Sequence, residues 1–331
     1  MTPLALSLGD PAGIGPELIV EAWARRSQFP APFVVAGSAD VLRGAALARG
    51  HSLKVQPIAD PLDAARVFEG AIPVIGDSAG TYTPRRPDES GARLAMDSLE
   101  LATTLALRGA VGGVVTAPIA KGELAKVGFA FPGQTEFLAD ACGVAEDDAV
   151  MMLAGPSLRT IPVTIHCALA EVPARLSTEL IVRRARVAAA ALQRDFDIET
   201  PRLAICGLNP HAGENGRMGD EEARIIAPAV QQLQDEGIAA TGPHPADTIF
   251  APHARATYDV ALAMYHDQAL VPIKALDFDL GVNVTLGLPI VRTSPDHGTA
   301  FDIAGTATAR PDSFIAAIRM AAEMAANRAH G

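Results

Sequence analysis

Short apolar runs alternate with long helical periods along the whole chain, and few folds accept that alternation. Leu4–Leu8, Pro32–Gly37, Ile72–Ile75, Gly113–Thr116, Val150–Ala154, Thr160–His166 and Arg202–Leu208 have the composition of buried strands, and Tyr258–Tyr265 ends in another. Between them the 3.6-residue period predicts helices over Gly15–Ser27, an Ala/Leu-rich stretch through Ala48, Asp88–Arg108, Lys121–Val127, Thr135–Ala141, Ser177–Phe196, Asp220–Glu236 and Asp312–Arg328. Strands that alternate with helices predict an α/β protein with a largely parallel sheet and helices on both faces. A length of 331 residues suits two domains or one large unit. No low-complexity linker or fixed-period repeat divides the chain, so two domains would share an extended sheet or exchange strands.

Charge and cysteine usage remove several function classes. Lys and Arg total 27 against 38 Asp and Glu, a net −11 with no basic run, which argues against a nucleic-acid partner. The three cysteines, Cys142, Cys167 and Cys206, form no CxxC pair, so neither a disulfide framework nor a zinc ribbon is expected. The first residues lack a basic segment before an apolar core, and no apolar stretch reaches the roughly 20 residues of a membrane span. A cytoplasmic protein without a membrane association is expected.

Three of the eight histidines share one placement. His166 ends Thr160–His166, His211 follows the strand that begins at Arg202, and His266 follows Val260–Tyr265. Each stands at or beyond the carboxyl end of an expected strand, the edge at which open α/β sheets place their ligands. Three imidazoles and an open position make a common catalytic metal site. Any one of them alone would better suit an ordinary loop or core, and it is the three equivalent placements together that favour a metal.

Other segments offer donors for anions. Gly9–Glu17 follows a strand and opens a helix, yet matches neither GxGxxG nor GxxxxGK[ST]. Gly213–Glu222 leads into a helix and reads either as a ligand loop or as a connector with acidic capping residues. Ser294–Ala300 is a tight loop of small residues that suits either a plain turn or the close approach of a flat or phosphorylated ligand. After His266 come Asp267, Gln268, Lys274, Asn283, Thr285 and Arg292. Cations among apolar residues need anionic partners, either Asp277, Asp279 and Asp296 or a bound phosphate or carboxylate.

Taken together, GDPAGIGPE at Gly9–Glu17, TAPIAK at Thr116–Lys121, FPGQTEFLA at Phe131–Ala139, GLNPHAGENGRMGDEE at Gly207–Glu222, MYHDQALVPIK at Met264–Lys274 and GVNVTLGLPIVRTSPDHGTAFDIAG at Gly281–Gly305 resemble the 4-hydroxythreonine-4-phosphate dehydrogenase family of pyridoxal phosphate biosynthesis. The resemblance runs over almost the whole chain. It implies the two-domain isocitrate/isopropylmalate dehydrogenase-like fold, with a discontinuous cofactor-side domain of residues 1–128 and 276–331 and a metal- and dimer-side domain of residues 129–275. It also implies an interdomain active site shared with the partner subunit of a homodimer.

The resemblance further implies metal ligation by His166, His211 and His266, with zinc first and cobalt or magnesium as alternatives. Substrate contacts would come from Gln134, Thr135, Lys274, Asn283 and Arg292. The loop carrying Asp296, His297, Gly298 and Thr299 would touch NAD or NADP, which accounts for the missing GxGxxG. Lys274, Asp247 and Asp267 are the catalytic candidates, the two aspartates as groups that orient a histidine. Many members carry His where this chain has Gln134, and a carboxamide cannot carry a proton.

The reaction implied is oxidation of the C3 hydroxyl of 4-phosphooxy-L-threonine to a 3-keto acid that decarboxylates to 3-amino-2-oxopropyl phosphate. Related dehydrogenases act on four-carbon acid-sugar phosphates or cyclic diols. A metal-dependent hydrolase would also use three histidines but no dinucleotide loop, and a sugar-phosphate sensor would not need the histidines.

Overall fold

A computed structural model describes residues 2–330. Its strands are β1 (Leu4–Ser7), β2 (Phe33–Ala36), β3 (Val55–Pro57), β4 (Ile72–Ile75), β5 (Val114–Thr116) and β6 (Val150–Ala154). They continue with β7 (Arg159–Pro162), β8 (Arg202–Cys206), β9 (Ala239–His244), β10 (Val260–Ala263), β11 (Val282–Leu286) and β12 (Arg292–Pro295). The chain divides into two compact units. One runs to Val144 and resumes at Leu288, and the other spans Ala145–Gly287. Both divisions fall later in the chain than the expected 128/129 and 275/276.

In the first unit the strands run β3-β4-β2-β1-β5-β12 and every pairing is parallel. β1 leads to β2 on one side, and the chain later returns to place β5 on the other. The crevice beyond the carboxyl ends of β1 and β5 is therefore the switch point at which such sheets bind ligands. Leu4, Ala5, Leu6, Phe33, Val34 and Val35 are buried, because both faces of this sheet are covered. Helix Glu89–Leu107 begins where Asp88 accepts the Gly91 amide, and its Ser98 hydroxyl accepts from the Leu8 amide while donating to the Ala36 carbonyl.

In the second unit the order is β11-β6-β7-β10-β8-β9. β7, β10, β8 and β9 are parallel, whereas β6 pairs antiparallel with both β7 and β11, so the expectation of a largely parallel sheet holds for part of this unit only. Helix Thr178–Phe196 starts at Ser177, which caps the Leu180 amide, and ends at Asp197 in a left-handed conformation. The helix expected over Asp220–Glu236 is present and unbroken, with a π-helical first part, Glu222–Ile226, that continues as the α-helix Ala227–Asp235. Strands β3, β9, β11 and β12 are additions to the sequence expectation. Of these, β3 and β9 contain proline, which weakens the period-2 signal, and lie at the ends of their strand orders. Among the described residues no helix is long and apolar enough to cross a membrane.

Candidate active site

In the second unit the three central parallel strands deliver the three histidines to one edge. β7 ends at Pro162, four residues before His166, so Thr160–His166 is a strand only in its first half. β8 ends at Cys206 before His211, and β10 ends at Ala263 before His266, the first residue of helix His266–Asp277. His166 and His211 adopt φ values of +50° and +52°, in the left-handed region that non-glycine residues seldom occupy. His211 opens a run of six residues with positive φ through Gly216, two of them glycines. Each non-glycine member costs about 1–2 kcal/mol, which persists only where the surroundings dictate the conformation.

Those surroundings are buried hydrogen bonds beneath the loops. The Thr164 hydroxyl donates to the Met264 carbonyl at 2.7 Å, joining the His166 segment to the His266 segment. Gln268 accepts from the Met264 amide and donates to the Gly207 carbonyl. The buried Glu222 carboxylate accepts from the Leu208 and Asn209 amides at 2.8 and 2.7 Å and from the Asn209 side chain at 3.0 Å. A Cβ on Gly213 would stand 2.6 Å from Glu222 Oε2, so the left-handed turn closes directly over that carboxylate.

His166 and His266 line one cavity of about 420 Å³ with Thr164, Cys167, Tyr265 and Asp267, their ring centroids 6.4 Å apart. Asp267 Oδ1 lies 2.6 Å from His266 Nδ1, and because a carboxylate only accepts, Nδ1 is the donor. His211 is exposed and is not among the residues lining this cavity. Among the described residues, no three His, Cys, Asp or Glu side chains come close enough together to hold a metal ion. The fold thus brings the histidines to one strand edge and two of them to one cavity, without gathering all three within a single chain. Imidazole nitrogens suit a divalent cation by donor chemistry, and the two rings of this cavity offer nitrogens of that type.

Lys274 lies two helical turns beyond His266 on the same helix, and Asn283 faces Leu153 across the β11–β6 pair. The buried Asn283 Oδ1 has no hydrogen-bond partner, leaving an acceptor available to a bound hydroxyl or ammonium group. Asp247 is exposed after β9 and makes no hydrogen bond to a histidine among the described residues. Asp277, considered as a partner for the cations, instead accepts from the Ser157 amide.

The first unit holds the remaining candidates. Arg292, 4 % exposed, opens β12 and donates to the Thr116 hydroxyl at 2.9 Å and to Gln134 Oε1 at 3.0 Å. Burial lowers its pKa to about 10, against the opposing field of Glu136, so it stays cationic at neutral pH. Gln134 and Thr135 begin helix Gln134–Ala141 and are both partly buried. The Asp296–Thr299 loop packs on the glycine-rich loop after β1, where the Ile14 amide donates to the Thr299 carbonyl. Glu17, fully buried, holds the far side of this arrangement: it accepts from the Tyr82 hydroxyl at 2.6 Å and the Gly305 amide at 2.7 Å. Gln268, Glu222 and Glu17 were visible in the sequence only as motif members, because their partners lie far along the chain.

The family model described as pyridoxal phosphate biosynthetic protein PdxA matches residues 28–321. A curated 4-hydroxythreonine-4-phosphate dehydrogenase from Erythrobacter litoralis is 64 % identical over 328 residues, covering 99 % of this chain and 98 % of the relative. The crystal structure of the 4-hydroxythreonine-4-phosphate dehydrogenase from Klebsiella pneumoniae aligns with a TM-score of 0.88 at 39 % identity, covering 98 % of each chain. A terephthalate 1,2-cis-dihydrodiol dehydrogenase from Burkholderia xenovorans aligns less closely, with a TM-score of 0.67 at 31 % identity, covering 97 % of this chain and 98 % of the other.

Proposed function

The chain belongs to the PdxA family of pyridoxal phosphate biosynthetic proteins, and on that premise we propose that it oxidises 4-hydroxythreonine 4-phosphate with NAD or NADP and releases carbon dioxide. The observation that carries this function is the 64 % identity, over the full length, to a dehydrogenase named for that substrate. The weaker alignment to the dihydrodiol dehydrogenase makes cyclic diols the second choice.

The reaction removes hydride from C3 and the proton from its hydroxyl. The resulting 3-keto acid loses carbon dioxide, leaving 3-amino-2-oxopropyl phosphate. NAD or NADP is the hydride acceptor, held by Asp296, His297, Gly298 and Thr299 beside the glycine-rich loop. A divalent cation, with zinc preferred and cobalt or magnesium as alternatives, would be held by His166, His211 and His266 and would supply Lewis acidity toward the substrate hydroxyl. Lys274 and Arg292 bind the anionic ends of the substrate, Arg292 with a planar fork and Lys274 as a point charge. Thr135 and Asn283 add polar contacts, and Asp267 keeps the His266 ring in one orientation.

The active site is shared between two copies of the chain in a homodimer. Two observations support this. A single chain leaves His211 exposed and outside the cavity of the other two histidines. Helix His266–Asp277, which carries His266, Asp267 and Lys274, also exposes Val271, and Phe278 follows at its end; they are 64 % and 69 % exposed. An apolar face beside polar site residues suits burial against a second subunit.

The test is formation of reduced nicotinamide from 4-phosphooxy-L-threonine with NAD+ and with NADP+, before and after chelation and after returning zinc, cobalt or magnesium. Metal-restored turnover is expected. Absence of turnover with either dinucleotide, with metal confirmed on the protein, overturns the proposal and directs the search to acid-sugar phosphates and diols.

A further inference from the structure

Both ends of the Gln134 carboxamide are engaged. Oε1 accepts from Arg292 at 3.0 Å, and Nε2 donates to the Ala117 carbonyl at 3.1 Å. The orientation is unambiguous, because a guanidinium only donates and a carbonyl only accepts. The same Arg292 nitrogen donates to Thr116, one residue before Ala117, so Gln134 and the end of β5 hold the guanidinium from two sides. We propose that Gln134 serves the reaction through Arg292, as a neutral brace that fixes the guanidinium and exchanges no proton.

Charge explains why a neutral group suits this place. A carboxylate at position 134 would cancel the charge with which Arg292 attracts an anion. Glu136 already acts on Arg292 electrostatically from the same helix, and Lys121 and Glu136 both lie against Gly133. A neutral imidazole could make the same two bonds, accepting at one nitrogen and donating at the other. An imidazolium could not, since it has no acceptor and would face Arg292 with like charge. Gln134 therefore performs the bracing role of a neutral histidine without its sensitivity to pH, and it is a positioning residue.

The inference rests on Arg292 binding an anionic end of the substrate, and the test separates the two. In a crystal structure of Gln134→Met, the Arg292 guanidinium is expected to leave the Thr116 hydroxyl, an outcome read without any substrate. Kinetically, Gln134→Met is expected to raise KM for 4-phosphooxy-L-threonine roughly tenfold or more, exceeding any fall in kcat. Gln134→His is expected to restore KM near pH 8 and to lose it again toward pH 6, while the wild-type KM changes less over that range. An Arg292 that keeps its place in Gln134→Met overturns the bracing role whatever the activity. A displaced Arg292 with unchanged KM shows that the brace exists and that Arg292 does not bind the substrate, which overturns its part in the reaction. A Gln134→His enzyme that is inactive at every pH overturns the equivalence to a neutral imidazole.

Discussion

Gln268 Nε2 donates to the Gly207 carbonyl at 2.8 Å, so one buried side chain joins the exit of β8 to the exit of β10. Its Oε1 accepts from the Met264 amide at 2.6 Å. The bonded backbone lies two residues before His266 and four before His211, close enough to set the spacing of the loops that carry them. Gln268→Leu strands a buried N–H and a buried C=O, with an expected loss of about 2–4 kcal/mol in urea denaturation. Turnover is expected to fall roughly 10–100-fold, in line with the loss of a group that orients metal ligands. Full turnover in a destabilised variant would show that Gln268 supports the fold alone.

Glu17 joins Tyr82, Gly305 and, at 3.5 Å, Arg49, whose side chain is itself nearly buried. Glu17→Ala leaves a guanidinium and an amide with fewer partners and should cost about 3–5 kcal/mol. Glu17→Gln keeps one acceptor oxygen and should cost less. Thermal unfolding of the two variants gives the order directly, and equal losses would argue against the hydrogen-bonded role.

Gly13 illustrates close approach without unusual backbone. A Cβ there would lie 2.8 Å from the Thr299 carbonyl oxygen and 3.0 Å from Thr299 Cβ. Gly13→Ala must therefore displace the Asp296–Thr299 loop. The expected outcome is a KM for the dinucleotide raised roughly tenfold, with chelator sensitivity unchanged. A normal dinucleotide KM would remove that loop from the cofactor site.

Asp10, 2 % exposed, should give a pH signature. Burial raises its carboxyl above the ordinary value of 3.8, the Ala12 amide opposes that shift, and Glu123 and Asp88 add to it. A raised folded-state pKa means that the stabilising contribution is complete below the unfolded value and is lost as pH rises through the folded one. Asp10→Asn, which keeps an acceptor for the Ala12 amide, should raise Tm at neutral pH and lose that advantage at acid pH. A gain that is the same at every pH would assign the effect to packing.

Local patterning carried much of the architecture into view. Helix Ala39–Ala48 ends where the Ala/Leu-rich stretch was expected to end, and Glu89–Leu107 and Thr178–Phe196 lie within a residue of where periodicity put them. The runs ending near His166, His211 and His266 are neighbouring parallel strands. Where β7 stops was not legible: Val163 and Thr164 continue the apolar alternation, but the strand ends at Pro162 and His166 turns left-handed. The left-handed run from His211 was equally hidden, since its sequence suits any polar loop.

The sequence by itself determined the alternation of strands and helices, the family, and which side chains arrive at the carboxyl ends of the strands. Each of these depends on periodicity or on motif identity, which are properties of neighbouring residues. Only the tertiary structure decided that His166 and His266 share a cavity from which His211 is absent, that β6 runs antiparallel to its neighbours, and that Gln134 braces Arg292. Gln134 and Arg292 are separated by 158 residues, and Gln268 and Gly207 by 61. A hydrogen bond over such a distance requires both partners to be buried together, and burial is settled only when the whole sheet has closed.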